Sequence, residues 1–248
     1  MATFPSSIEA QQATISPIGR IFGILFSPQK TYTDIVRKPD WILPLLLSTV
    51  LSLIAVTVLN QKVNWREYIS QKIDANPSSK NLTPEQKAGQ AEVSAKVTTY
   101  IIYAAGLLVP VLFALIVGLT MMGAYNILAG AGATFLQSFS IMAYAGVIGL
   151  VSTPLFLLVL FLKPPGTIDP DNPVVTNLAA FLPPDSAKWL VTLGKSLDFF
   201  TIWTLILMAI GFAAVNPKKL PAGKSFAIAF GVFLTYVVIR VGIAFIVS

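Results

Sequence analysis

The chain has 248 residues, 55% of them hydrophobic and only 11% charged, with 17 Lys or Arg against 11 Asp or Glu and a net charge of +6. A soluble domain carries about a quarter charged side chains, so this composition excludes an ordinary water-exposed fold. The absence of Cys and His excludes disulfide staples, Cys or His metal sites and Ser-His-Asp or Cys-His catalysis.

Residues 1–40 read as a cytoplasmic N-terminal segment, with no apolar stretch behind a basic start of the kind a cleavable signal needs. Pro17 to Phe26 is compact and apolar, punctuated by Arg20. Ser27-Pro28 then opens a second short helix with Tyr32, Ile35 and Val36 on one side and Lys30, Asp34 and Arg37 on others. Two placements suit this amphipathic segment. It lies flat on the membrane, with Arg20, Lys30, Arg37 and Lys38 as contacts to anionic headgroups worth about 1 kcal/mol each, offset in part by Asp34 and Asp40. Alternatively it packs beneath the bundle.

Residues 41–248 read as a membrane domain with five spans, at about 41–60, 99–125, 135–162, 199–215 and 226–247. Trp41 suits the lipid interface at the start of the first. The 66 residues from Val97 to Leu162 contain no Asp, Glu, Lys or Arg. A helix of that length would be about 100 Å long, roughly three bilayer cores, so the run must fold back. Asn126, Gly130 and Gly132 place that turn between Asn126 and Thr134. The fold class is therefore an all-α integral membrane protein, a five-transmembrane-helix bundle with short interfacial helices. An odd number of spans puts the termini on opposite faces. The short basic loop with Lys218, Lys219 and Lys224 favours a cytoplasmic N-terminus, although nine further Lys or Arg residues fall on the other side.

Between spans, Thr83-Pro84-Glu85-Gln86 is a helix start with a capping box, and its helix is able to run unbroken into the second span. Lys163 to Ser196 reads as an irregular loop followed by a short helix near Asp185 to Val191.

Candidate chemistry must come from polar groups in the spans, where a charge costs about 2.5 to 3.5 kcal/mol on insertion scales. Arg240 is the clear case, and Asp198 opens the fourth span on the same side, which suggests an Asp198–Arg240 pair clamping the last two spans. The competing reading is that Arg240 reaches for headgroups while Asp198 caps its own helix. Pro44, Pro110 and Pro154 bend their helices, and Ala145 with Gly149, Ala209 with Ala213 and Ala227 with Gly231 are small pairs suited to close helix packing. Ser138, Ser140, Tyr144, Ser152 and Thr153 read as interhelical hydrogen-bonding groups. Asp169, Asp171 and Asn172 lack the glycine and distal glutamate of a calcium loop and read as turn residues. No catalytic, cofactor-binding or metal-ligating set is expected, and no cofactor.

The run from Ser27 to Trp41 (Ser-Pro-Gln-Lys-Thr-Tyr-Thr-Asp-Ile-Val-Arg-Lys-Pro-Asp-Trp) resembles the segment before the first span in bacterial members of the Yip-one domain family, the Ypt-interacting proteins. Phe200-Thr201-Ile202-Trp203, with Leu207, Gly211 and the basic turn Lys218, Lys219, Lys224, resembles the fourth-span signature of the same group. Eukaryotic relatives are five-span proteins of the early secretory pathway that engage prenylated Rab-type GTPases. Their Asp-Leu-Tyr-Gly-Pro segment is not found here, so the resemblance implies a bacterial-type protein of the cell (inner) membrane, with early secretory membranes as the alternative.

The expected function is that of a non-enzymatic multi-pass membrane protein acting through protein or lipid contacts in membrane organisation or trafficking-like processes. The alternative is a small-solute transporter or channel. Expected partners are membrane lipids, anionic ones included, a membrane-protein partner or a second copy, and no nucleic acid.

Overall fold

The structure, a computed structural model, describes residues 15–164, 167–170, 172–173, 176–183 and 185–246. The start of the N-terminal segment, Asp171 and the last residue of the expected fifth span lie outside them. The described residues fold into α-helices and short 3-10 turns. In chain order these are α1 (Pro17–Phe26), α2 (Pro28–Arg37), α3 (Ile42–Lys62), α4 (Trp65–Ala75), α5 (Pro84–Ala129), α6 (Phe135–Ala145), α7 (Gly149–Leu162), α8 (Lys188–Ser196), α9 (Phe199–Val215) and α10 (Ala222–Ile246).

Four helical stretches are long and apolar enough to cross a membrane: α3, α5, α6 with α7, and α10. The chain is an all-α, multi-pass membrane protein. The fourth expected span corresponds to α9, a shorter apolar helix of 17 residues, about 25 Å long against a hydrocarbon core of about 30 Å. α5 starts at the anticipated box: Thr83 accepts from the Gln86 amide and Gln86 from the Thr83 amide, at 3.2 and 2.9 Å. It then runs 46 residues without a break, carrying Pro110 inside it. The third expected span is interrupted at Gly146–Ile148, a 3-10 turn between α6 and α7, and not at Pro154, which sits inside α7.

The molecule has two distinguishable ends. At one, the α5–α6 and α9–α10 turns meet: Asn216 donates to the Ala131 carbonyl (3.4 Å) and Lys219 to that of Gly130 (2.8 Å). Gly130 makes that junction possible, because its φ of 59° is a left-handed conformation that terminates α5. α1 and α2 pack at this end, here called basal. At the opposite end Lys62 of α3 lies over the Phe161 ring of α7, Lys87 of α5 pairs with Asp74 of α4, and an isolated bridge joins Asn177 to Asp198.

Candidate functional site

Arg20, the buried charge among the described residues, lies at the basal end with the buried hydroxyls of Thr31, Tyr32, Tyr144 and Ser225, and the α1–α2 hairpin brings Arg20 there. Ser16 caps α1 by accepting from the Gly19 amide, and Pro17 occupies the first turn. α1 ends at Ser27, whose amide bonds Gly23, and Pro28 starts α2 at once. The chain therefore reverses within a residue or two. Arg20 lies seven residues before Ser27 and Asp34 seven after it, so folding back lays one against the other.

Arg20 is 2% exposed. Its Nε donates to Asp34 Oδ2 and its Nη1 to Asp40 Oδ2, both at 2.8 Å, and Nη1 also reaches the Lys38 carbonyl at 3.0 Å. Asp34 Oδ2 also accepts the Ile15 amide. The other oxygen of Asp40 accepts the Tyr144 hydroxyl of α6 at 2.6 Å. One guanidinium thus ties α1 to α2, to the entry of α3 and, through Asp40, to α6. Burial draws the Arg20 pKa down, but the bond to Asp34 and the charges of Asp40 and Asp34 outweigh it, leaving the pKa raised. The guanidinium is held charged.

Around this cluster the hairpin is part of the core. Tyr32 is fully buried and its hydroxyl points to the Ile141 carbonyl at 3.4 Å; burial pushes the phenol above its usual pKa. Ile35 and Val36 are buried beside it, and Gln137 of α6 donates to the Val36 carbonyl. α9 comes so close that a Cβ on Gly211 would stand 2.6 Å from Ile141 Cγ2 and 3.0 Å from the Tyr32 ring. Every residue of α6 from Ser138 to Ala145 is buried, which is a helix enclosed all round. Tyr125 of α5 stacks on Phe212 of α9 at 4.3 Å and donates to the Ser225 carbonyl of α10, while the Ser225 hydroxyl donates to Ala209. Of the side chains proposed for interhelical bonding, Tyr144 instead bonds Asp40 in the segment between α2 and α3, Ser138 bonds back within its own helix, and Ser140 Oγ is buried with no partner among the described residues.

The cationic residues expected at the membrane surface therefore divide. Arg20 is a correction: it is enclosed by carboxylates and does not face headgroups, because Asp34 and Asp40 neutralise it from within. Lys30, Arg37 and Lys38 are exposed. The expected Asp198–Arg240 clamp is not formed either. Asp198 caps α9, accepting the Thr201 amide at 3.0 Å and the hydroxyls of Thr201 and Thr176. Arg240 is exposed on α10. Among the described residues no group of three or more His, Cys, Asp or Glu is placed to hold a metal ion.

The Arg20 cluster escaped the sequence reading, although the equal spacing of Arg20 and Asp34 about the Ser27-Pro28 turn was a usable signal.

No curated protein and no solved structure matches the chain. The family model of the Yip1 domain matches residues 22–243, a stretch that begins inside α1, contains the carboxylates and the phenol of the Arg20 cluster and ends within α10. With the match spanning nearly the whole described fold, the chain belongs to the Yip1 domain family.

Proposed function

We propose that this Yip-family membrane protein works by contact, without chemistry of its own, and that its basal end is the contacting face. The observation that carries this reading is what the Arg20 cluster does. It fixes α1 so that Arg20, Ile21 and Ile24 turn inward while Ile18, Phe22 and Phe26 are left outside, at 66, 57 and 82% exposure. The same end of the molecule carries Lys30, Lys218 and Lys224, also exposed. An apolar helical edge next to lysines suits an anionic membrane interface or a membrane-bound partner. The buried charges supply cohesion, since Arg20 is consumed by Asp34 and Asp40 and is not open to a solute.

In this reading the membrane is the bacterial cell membrane and the basal end faces the cytoplasm, as the lysines of the Asn216–Lys224 turn favour. The test is mild-detergent purification of the wild type and of a Phe22→Ser, Phe26→Ser variant, with identification of proteins and lipids that come with each. A discrete set present with the wild type and lost from the variant is expected. Identical sets, or a solute flux through reconstituted vesicles that the purified chain alone supports, would overturn it.

A further inference from the structure

A groove of about 630 Å³ opens at the basal end between the first turn of α2 and the α9–α10 corner, within the usual size of a small-ligand site. Its walls include Pro28, Ile210, Ala213, Ala214 and Phe226, and Lys30 stands among the polar residues on the α2 side. Among the described residues no acidic side chain lines it. The Ser27 side chain makes no capping bond to the α2 turn that borders it. The groove also lies at a level where the surface is apolar: besides α1, the end of α5 exposes Ile127 and Leu128 at 84 and 63%, and α6 opens with exposed Phe135 and Leu136. Such residues are stable where acyl chains and headgroups meet, not in water.

We propose that this groove holds one anionic phospholipid, its acyl chain against Ile210, Ala213, Ala214 and Phe226 and its phosphate at Lys30. The proposal deepens the reading of the basal end as a membrane-contact face and rests on it. A free phosphate would leave the apolar walls uncovered, and a zwitterionic lipid would bring its own ammonium beside the lysine and offset the attraction of its phosphate. One lysine at a membrane surface corresponds to about a fivefold preference for the anionic lipid.

The experiment is native mass spectrometry of the full chain in detergent, titrated with phosphatidylglycerol or phosphatidylcholine of identical acyl chains, and with inorganic phosphate as competitor. The expected result is a single adduct, about fivefold favoured for phosphatidylglycerol and not displaced by phosphate. Ala213→Leu, which fills the floor, should weaken both lipids tenfold or more. Lys30→Gln, at an exposed position, should abolish the preference by bringing phosphatidylglycerol down to the level of phosphatidylcholine; it carries the test by itself if Ala213→Leu does not fold. Equal binding of the two lipids, a graded series of adducts indifferent to Ala213→Leu, or displacement by phosphate would each overturn the site. A fluorophore on Phe26→Cys, the only thiol in the chain, reads the broader face separately in reconstituted vesicles. Blue-shifted emission together with any of those overturning results would leave the contact face standing and remove only the groove.

Discussion

The basal end and the membrane-spanning stretches are built from similar residues and held together differently. In the most apolar windows of the four long spans only 11 to 22% of residues are buried within the chain; there the helices present Leu, Ile and Val to lipid, and Leu46 and Ile54 of α3 are 59 and 44% exposed. At the basal end Tyr32, Tyr125, Tyr144 and Phe212 are each at or below 2% exposure, and three of the four place a hydroxyl on a carbonyl or carboxylate. Lipid offers no hydrophobic drive for helices to associate. The chain therefore concentrates its directional bonds and tight contacts where α1, α2, α5, α6, α9, α10 and the entry of α3 converge, and the spans rely on the solvent they sit in.

That contrast is broken most severely by removing its central charge. Arg20→Met leaves Asp34 and Asp40 facing each other without a counter-charge, and losing one partner of a buried ion pair costs about 3 to 5 kcal/mol. With Asp40 partly open to solvent the lower figure is expected, read as a large drop in melting temperature in detergent. An Arg20 that merely touched headgroups would give a shift near zero. Next is Gly211→Leu, which must push Tyr32 or Ile141 aside and should cost about 1 to 3 kcal/mol by overpacking; limited proteolysis should then cut the α1–α2 hairpin faster. Tyr125→Phe removes one hydroxyl shared by α5 and α10 and should cost about 1 kcal/mol in the same melt.

Asp198→Ala should also cost about 1 kcal/mol through loss of the α9 cap. Arg240→Leu should add to it independently, within about 0.5 kcal/mol, because the two side chains share no bond; a coupling larger than that would restore the clamp. Ile54→Ala, on the lipid side of α3, should change the melt by no more than about 0.5 kcal/mol.

How much of this was legible depended on how local each signal was. The Thr83–Gln86 box, the start at Pro28 and the turn between Asn126 and Thr134 are each set by residues only a few positions apart, and the structure forms each where the sequence places it. Tyr32, Ile35 and Val36 declared a buried side by periodicity, but periodicity does not say whether lipid or protein covers it; contact with α9 and α6 decides for protein. Arg20 reads as a headgroup ligand because Asp34 and Asp40 count along the sequence only as a partial offset of the segment's charge. The carboxylates that claim it are 14 and 20 residues further along and arrive only once the chain folds at Ser27. Asp198 and Arg240 share a face by topology, yet the rotation of α10 sends Arg240 outward while threonines within reach satisfy Asp198. The break at Gly146–Ile148 was unreadable for the same reason: it lies where α3 approaches, with Ser48 Oγ 3.2 Å from a Cβ built on Gly146, and Pro154 was the louder local signal.

The claim beneath all of this is that the α1–α2 hairpin is an integral part of the basal core, fastened by Arg20. Hydrogen exchange of the reconstituted full chain tests it most directly. Amides from Tyr32 to Val36 should be protected to the same degree as those from Ile141 to Ala145, and Arg20→Met should release the hairpin while leaving α3 protected. Rapid exchange across the hairpin in the wild type, or a hairpin that stays protected without Arg20, would contradict it.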